Sequence, residues 1–175
     1  MQRRRWGGRS RGKSLSQAPG GERPKDTEAA RLAAITLLAR RDFAIGELRS
    51  RLTDDGFPAD AIEPVIADLL AAGTLDDARF AASYVTYHAG RGQGPRRISM
   101  ELAERGVDEA LIEQALAAGP DWKALAREVR VRRFGPEAPR DWAEKARQAR
   151  FLQYRGFSSD HMRSAIADFD PEYPS

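Results

Sequence analysis

Leu52-Thr53-Asp54-Asp55-Gly56-Phe57 returns 50 residues later as Leu102-Ala103-Glu104-Arg105-Gly106-Val107, and 50 residues after that as Leu152-Gln153-Tyr154-Arg155-Gly156-Phe157. A leucine stands four positions before each glycine and an apolar residue directly after it. Working outward, Ile62, Ile112 and Met162 follow the three glycines at six positions, and Ile66, Leu116 and Ile166 follow at ten. A repeat of this length and spacing marks an array of similar helical units. Such an array builds an extended surface by stacking rather than one enclosed catalytic pocket. The glycine has a local reason: a helix commonly ends on a residue in the left-handed region, which glycine enters without a Cβ clash. The apolar residue after it covers the last turn, and the leucine before it faces the core of a three-helix unit.

From Thr27 onward helical periodicity dominates and strand alternation is absent. The first unit, 27–73, reads as a helix over 27–40 with Leu32, Ile35 and Leu38 on one face. A second helix over 44–55 carries Ile45, Leu48 and Leu52. A third over 60–72 turns Ile62, Val65, Ile66, Leu69 and Leu70 inward. Pro64 is irregular, because the matching positions hold Gln114 and Ser164; that helix starts late or kinks there. The second unit, 74–119, opens on Leu75-Asp76-Asp77, with Asp76 as N-cap and Leu75 and Phe80 as a hydrophobic staple. Phe80, Tyr84 and Tyr87 line the helix that follows. Pro95 suits the first turn of the next helix, and Asp108 caps the last one of the unit. The third unit, 120–170, starts near Asp121. It breaks at Gly135-Pro136 and Pro139 and resumes over 141–155. A helix capped by Ser158 or Ser159, holding Met162, Ile166 and Phe169, completes it. Residues 171–175 form a short tail.

Charge is unevenly placed. Eight of the 29 Lys/Arg but only two of the 26 Asp/Glu fall in residues 1–26, so the body from 27 to 175 is net acidic by three. The Arg/Gly-rich leader lacks apolar periodicity and reads as a disordered basic tail. Its cations Arg3, Arg4, Arg5, Arg9, Arg11 and Lys13 suit weak, nonspecific, salt-sensitive contact with nucleic acid; a plain solubilising leader is the alternative. With 31% charged and 41% hydrophobic residues the chain has the composition of a soluble globular protein. No run reaches the ~18 apolar residues of a membrane span, and no apolar segment follows the leader as a secretory signal requires. The absence of cysteine excludes disulfides, thiolate metal sites and cysteine nucleophiles, with the cytoplasm as the expected compartment.

No catalytic constellation emerges. Asp76-Asp77 could hold a metal, but capping accounts for it and further ligands are lacking. The Gly90–Gly94 loop follows a helix rather than a strand and lacks the Lys-Ser/Thr of a phosphate cradle. His88 and His161, with no cysteine, are too few for zinc or a triad. No catalytic, cofactor or metal residue is therefore assigned. Arg147, Arg150, Tyr154 and Arg155 form a basic, aromatic stretch on one helix, either a partner surface or a solvated helix face. Arg91, Arg96 and Arg97 form a second cluster, where cations at a helix start are locally unfavourable and so favour a functional role. Tyr87 is the aromatic expected to be exposed.

Several ordered stretches resemble the RecX regulatory proteins. Arg40-Arg41-Asp42-Phe43 before Glu47-Leu48, then Gly73-Thr74-Leu75-Asp76-Asp77-Ala78-Arg79-Phe80-Ala81, resemble the family's opening. Gly92-Gln93-Gly94-Pro95-Arg96-Arg97-Ile98 resembles its middle motif, and Arg150-Phe151-Leu152-Gln153-Tyr154-Arg155-Gly156-Phe157 its C-terminal motif. The likeness covers roughly 28–169. It implies an all-α protein of three tandem three-helix repeats in an elongated, curved array. It also implies a partner, the RecA nucleoprotein filament on single-stranded DNA, whose ATPase, strand-exchange and co-protease activities such proteins lower without catalysis of their own. A monomer is expected. One departure is Ala44, where the family often has serine or threonine, which leaves that helix start without its cap. Two rivals remain: a direct nucleic-acid binder working through the tail and the arginine clusters, opposed by the acidic body and the lack of an evident stacking platform, and a metal-dependent nuclease, for which clustered carboxylates are missing.

Overall fold

Acidic and hydroxyl side chains at the helix starts, and glycines at the ends, divide this chain into short helices. The computed structural model describes residues 23–166, and among them there are nine α-helices and no strand. The first unit holds α1 (Arg23–Leu38), α2 (Ile45–Asp54) and α3 (Ala59–Ala71). The second holds α4 (Asp77–Gly90), α5 (Pro95–Glu104) and α6 (Glu109–Ala117). The third holds α7 (Trp122–Phe134), α8 (Trp142–Tyr154) and α9 (Ser159–Ala165). Asp76, Asp108, Asp121, Asp141 and Ser158 each accept a backbone N–H at the start of α4, α6, α7, α8 and α9. These bonds satisfy donors that a helix start otherwise leaves unpaired.

Each unit has its own core. Leu48, Leu52, Ile62, Val65 and Ile66 lie in the first, Ile98, Leu102 and Ile112 in the second, and Leu152, Phe157, Met162 and Ile166 in the third. Leu52, Leu102 and Leu152, the repeated leucines, have no exposed surface. The cores are joined by residues that cross unit borders. Ala44 belongs to the second cluster, and Leu125 packs against both the second and the third. The Trp122 indole N–H donates to the Leu116 carbonyl at 3.1 Å.

Gly56, Gly106 and Gly156 have φ of 93°, 78° and 93°. Two of them also meet a neighbouring unit. A Cβ on Gly156 would lie 2.4 Å from Cβ of Arg97, and one on Gly106 would lie 3.0 Å from Cα of Gly46. The end of α8 thus abuts the start of α5, and the end of α5 abuts the start of α2. The partial charges at the abutting ends are opposite in sign.

Five local expectations are corrected. α1 begins at Arg23, so the leader reading over 1–26 overlaps its first turn; residues 1–22, which carry Arg3, Arg4, Arg5, Arg9, Arg11 and Lys13, lie outside the described residues, as does Phe169. Leu32 and Ile35 are 67% and 50% exposed, and α1 instead buries Ala30 and Ala34, whose small side chains suit close approach to α3. Leu70 is also exposed. α3 does not start late: it runs unbroken from Ala59, with Pro64 on its exposed side. Leu75 and Phe80 are both buried but in different clusters, one in the first core and one in the second, so they do not form a staple on one helix.

Candidate interaction surface

The junction between the second and third units is built from backbone. Gly94 N–H donates to the Arg155 carbonyl at 2.7 Å, and Arg96 N–H donates to the Gly156 carbonyl at 3.1 Å. The first turn of α5 therefore takes its partners from the end of α8. Gly94 allows this approach, because a Cβ there would lie 2.4 Å from the Gly156 carbonyl carbon. Arg155 adds a bond from Nη1 to the Arg91 carbonyl at 3.3 Å.

On one side of this junction, Arg96, Arg97, Met100, Glu104 and Tyr154 border a cleft floored by Gly156 and Phe157. Tyr154 is 77% exposed and Met100 59%, so two large apolar groups stand side by side in solvent. Arg97 donates to Glu101 at 2.8 Å and its guanidinium lies 6.0 Å from the Tyr154 ring. The cation at the helix start is thereby offset by Glu101, which narrows the argument for a special role of Arg97 alone. Glu101 also accepts the Tyr84 hydroxyl at 2.7 Å. Burial pushes the Glu101 carboxyl upward, but the hydrogen bonds from Arg97 and Tyr84 hold it below the usual carboxylate value. Burial, together with the bond to Glu101, pushes the Tyr84 phenol up to about 12. His88 stacks on Tyr84 with centroids 4.0 Å apart and bonds Gln93 at 2.7 Å.

On the other side, Arg91, Arg132, Arg133 and Arg155 surround Val129 and Phe151, and the surface continues through Arg133 and Phe151 to Arg147 and Phe134. Phe134 and Phe151 meet edge to face at 5.3 Å. Arg133 and Arg147 lie 5.8 and 5.4 Å from the Phe134 ring, and Arg155 lies 5.3 Å from that of Phe151. Arg91 bonds the Tyr87 hydroxyl and lies over its ring. Beneath this surface the buried Arg130 donates to the carbonyls of Gly135, Pro136 and Glu137 at 2.9–3.3 Å, which fixes the turn after Phe134.

The sequence-selected residues therefore divide. Arg91, Arg147 and Arg155 come together, with Tyr87 beside Arg91; Arg96, Arg97 and Tyr154 form the second group; Arg150 is exposed and borders neither cleft. Sequence reading missed Arg132, Arg133, Phe134 and Phe151, although the run Arg132-Arg133-Phe134 is the basic–aromatic pattern that marks such surfaces. Asp76 and Asp77 are both engaged as caps, Asp76 on Arg79 N–H and Asp77 on Ile45 N–H, each at 2.9 Å.

Three tandem three-helix repeats, with open, mixed clefts at a unit border, define a helical-repeat protein whose surface is built by stacking. The chain belongs to the RecX family: family models described as the first, second and third three-helix domains of RecX match residues 30–69, 76–116 and 121–166. It is 46% identical over 147 residues to the regulatory protein RecX of Halorhodospira halophila, covering 83% of this chain and 91% of that protein. It is 43% identical to the regulatory protein RecX of Vibrio vulnificus, covering 77% and 89%. The crystal structure of RecX from Lactobacillus salivarius superposes with a TM-score of 0.70 at 22% identity, over 81% of this chain and 95% of that one, a likeness of fold. Among the described residues no helix is long and apolar enough to cross a membrane.

Proposed function

We propose that this protein is a non-enzymatic, cytoplasmic regulator that binds, as a monomer, the RecA recombinase filament on single-stranded DNA and lowers its ATPase, strand-exchange and co-protease activities. Membership of the RecX family, whose relatives are named regulatory proteins, supports the regulatory role. The observation that carries the contact is the cleft at the α5–α8 junction. An exposed aromatic and a methionine flanked by arginines have the composition of a protein-contact hot spot. Three linked units reach several filament subunits at once, so avidity arises without one strong site.

The test is the ATP turnover of the cognate RecA on single-stranded DNA, titrated with the full-length protein. Turnover should fall as protein is added. Binding to the assembled filament should exceed binding to free RecA. Unchanged ATPase and strand exchange at saturating protein would refute the proposal.

A further inference from the structure

We infer that the arginine surface between α4, α7 and α8 is a binding site for single-stranded nucleic acid, separate from the basic leader and from the cleft holding Tyr154. Arg91, Arg133, Arg147 and Arg155 border the two adjoining clefts, and among the described residues none of them is in an ion pair with a carboxylate; Arg132 alone is paired, with Glu128. This contrasts with the first unit, where Arg31, Arg41, Arg49 and Arg51 all pair with Asp or Glu. No carboxylate borders either cleft. The buried Arg130 lies beneath with carbonyl and amide partners alone, and its charge adds to the same field. A body that is net acidic thus gathers four arginines without carboxylate partners around two adjoining clefts, whereas others of that kind, such as Arg40, Arg96 and Arg150, lie outside them.

Such a field attracts repeated anions, and guanidinium forks match phosphate oxygens. The rings decide which polyanion. Phe134 and Phe151 are half-buried in the floor of the arginine surface, and Tyr87 stands 58% exposed at its edge beside Arg91. Aromatic side chains within a basic groove stack unpaired bases, which a duplex keeps inside. An acidic peptide would use the charges but not the rings. The inference stands without the recombinase, since its ligand is the bare strand.

The experiment uses the full-length chain with Arg3, Arg4, Arg5, Arg9, Arg11 and Lys13 replaced by glutamine, so that the leader keeps no net side-chain charge, Arg23 and Lys25 balancing Glu22 and Asp26. Fluorescence anisotropy of a labelled oligothymidylate should show binding that weakens by about tenfold or more between about 50 and 200 mM salt. Arg133→Glu with Arg147→Glu should weaken it by at least about tenfold, and Arg163→Glu, on α9 outside the clefts, by less than about twofold. Phe151→Leu should weaken strand binding while leaving displacement by inorganic tripolyphosphate unchanged, which separates stacking from simple anion capture. Should the double reversal lose helical circular dichroism, Arg133→Gln with Arg147→Gln carries the same expectation. Absence of binding by the leader-neutralised chain, full affinity in a folded double variant, or equal displacement of the strand by duplex DNA or by polyglutamate would overturn the assignment. RecA is absent throughout, so these outcomes are independent of the ATPase titration.

Discussion

Gly56 and Gly156 share a φ of 93° but differ in what surrounds them, so they separate two costs of a side chain. A Cβ on Gly56 meets nothing within 4 Å, whereas one on Gly156 lands 2.4 Å from Arg97 Cβ and 2.7 Å from its backbone nitrogen. Gly56→Ala should cost about 1–2 kcal/mol, the left-handed penalty alone. Gly156→Ala should cost about 3 kcal/mol or more, because the junction must also open. Urea denaturation of the two variants measures the difference, and equal losses would mean that the junction is not tightly packed. Glu101 gives a pH-dependent test. Its folded value lies below the ordinary one, so its contribution is complete above the unfolded carboxylate value and is lost as the pH falls through the folded value. Glu101→Gln should therefore be less stable than the parent by about 1 kcal/mol near neutrality, where the charge assists two hydrogen bonds. The gap should close below about pH 4 in melting experiments. A gap that stays constant with pH would remove the charge from the explanation.

At the scale of elements, the start of α2 shows why one part of the fold was legible and another was not. The caps at Asp76, Asp108 and Ser158 act within three residues of themselves, and so they can be read from the chain. Ala44 offers no side-chain cap to α2, and the Ile45 N–H takes Asp77 instead, 32 residues away on α4. No local pattern announces that bond. Burial pushes the Asp77 carboxyl above its ordinary value, while the Ile45 bond pulls the other way. The acceptor is thus needed more than its charge. Asp77→Ala should destabilise by about 1 kcal/mol, and Asp77→Asn, which keeps an oxygen for Ile45, by only a few tenths. Thermal melts of the two variants check this; equal losses would show that charge is what matters. The same locality explains the misread face of α1. Leu32 and Ile35 have helical spacing, yet Ala30 and Ala34 are the buried positions, because burial there follows the fit against α3 rather than side-chain size. Arg132 and Arg133 read as an ordinary basic helix end. Only the fold brings them against Arg91, Arg147 and Arg155, from two other helices and their ends.

Across the whole molecule, both clefts lie at the border of the second and third units and share the residues that join those units. Arg155 borders one cleft and binds the Arg91 carbonyl, and Gly156 floors the other while its carbonyl receives Arg96. The border is therefore both the mechanical joint and the platform for two chemically different surfaces, one with exposed Tyr154 and Met100 beside Glu101-paired Arg97, and one dense in arginines with few acidic partners. If the first contacts recombinase and the second contacts strand, their variants should separate. Tyr154→Ala with Met100→Ala removes exposed apolar area without touching the backbone joint, and should weaken inhibition of filament ATPase by about tenfold or more while bare-strand affinity changes less than about twofold. Arg133→Glu with Arg147→Glu should lower bare-strand affinity strongly and flatten its salt dependence, since fewer cations remain to displace counterions from the phosphates. Measuring both variants in both assays, with helical circular dichroism held constant, tests the division. Equal losses in the two assays from either variant would show one continuous surface with one ligand, and the second and third units would then act as a single clamp.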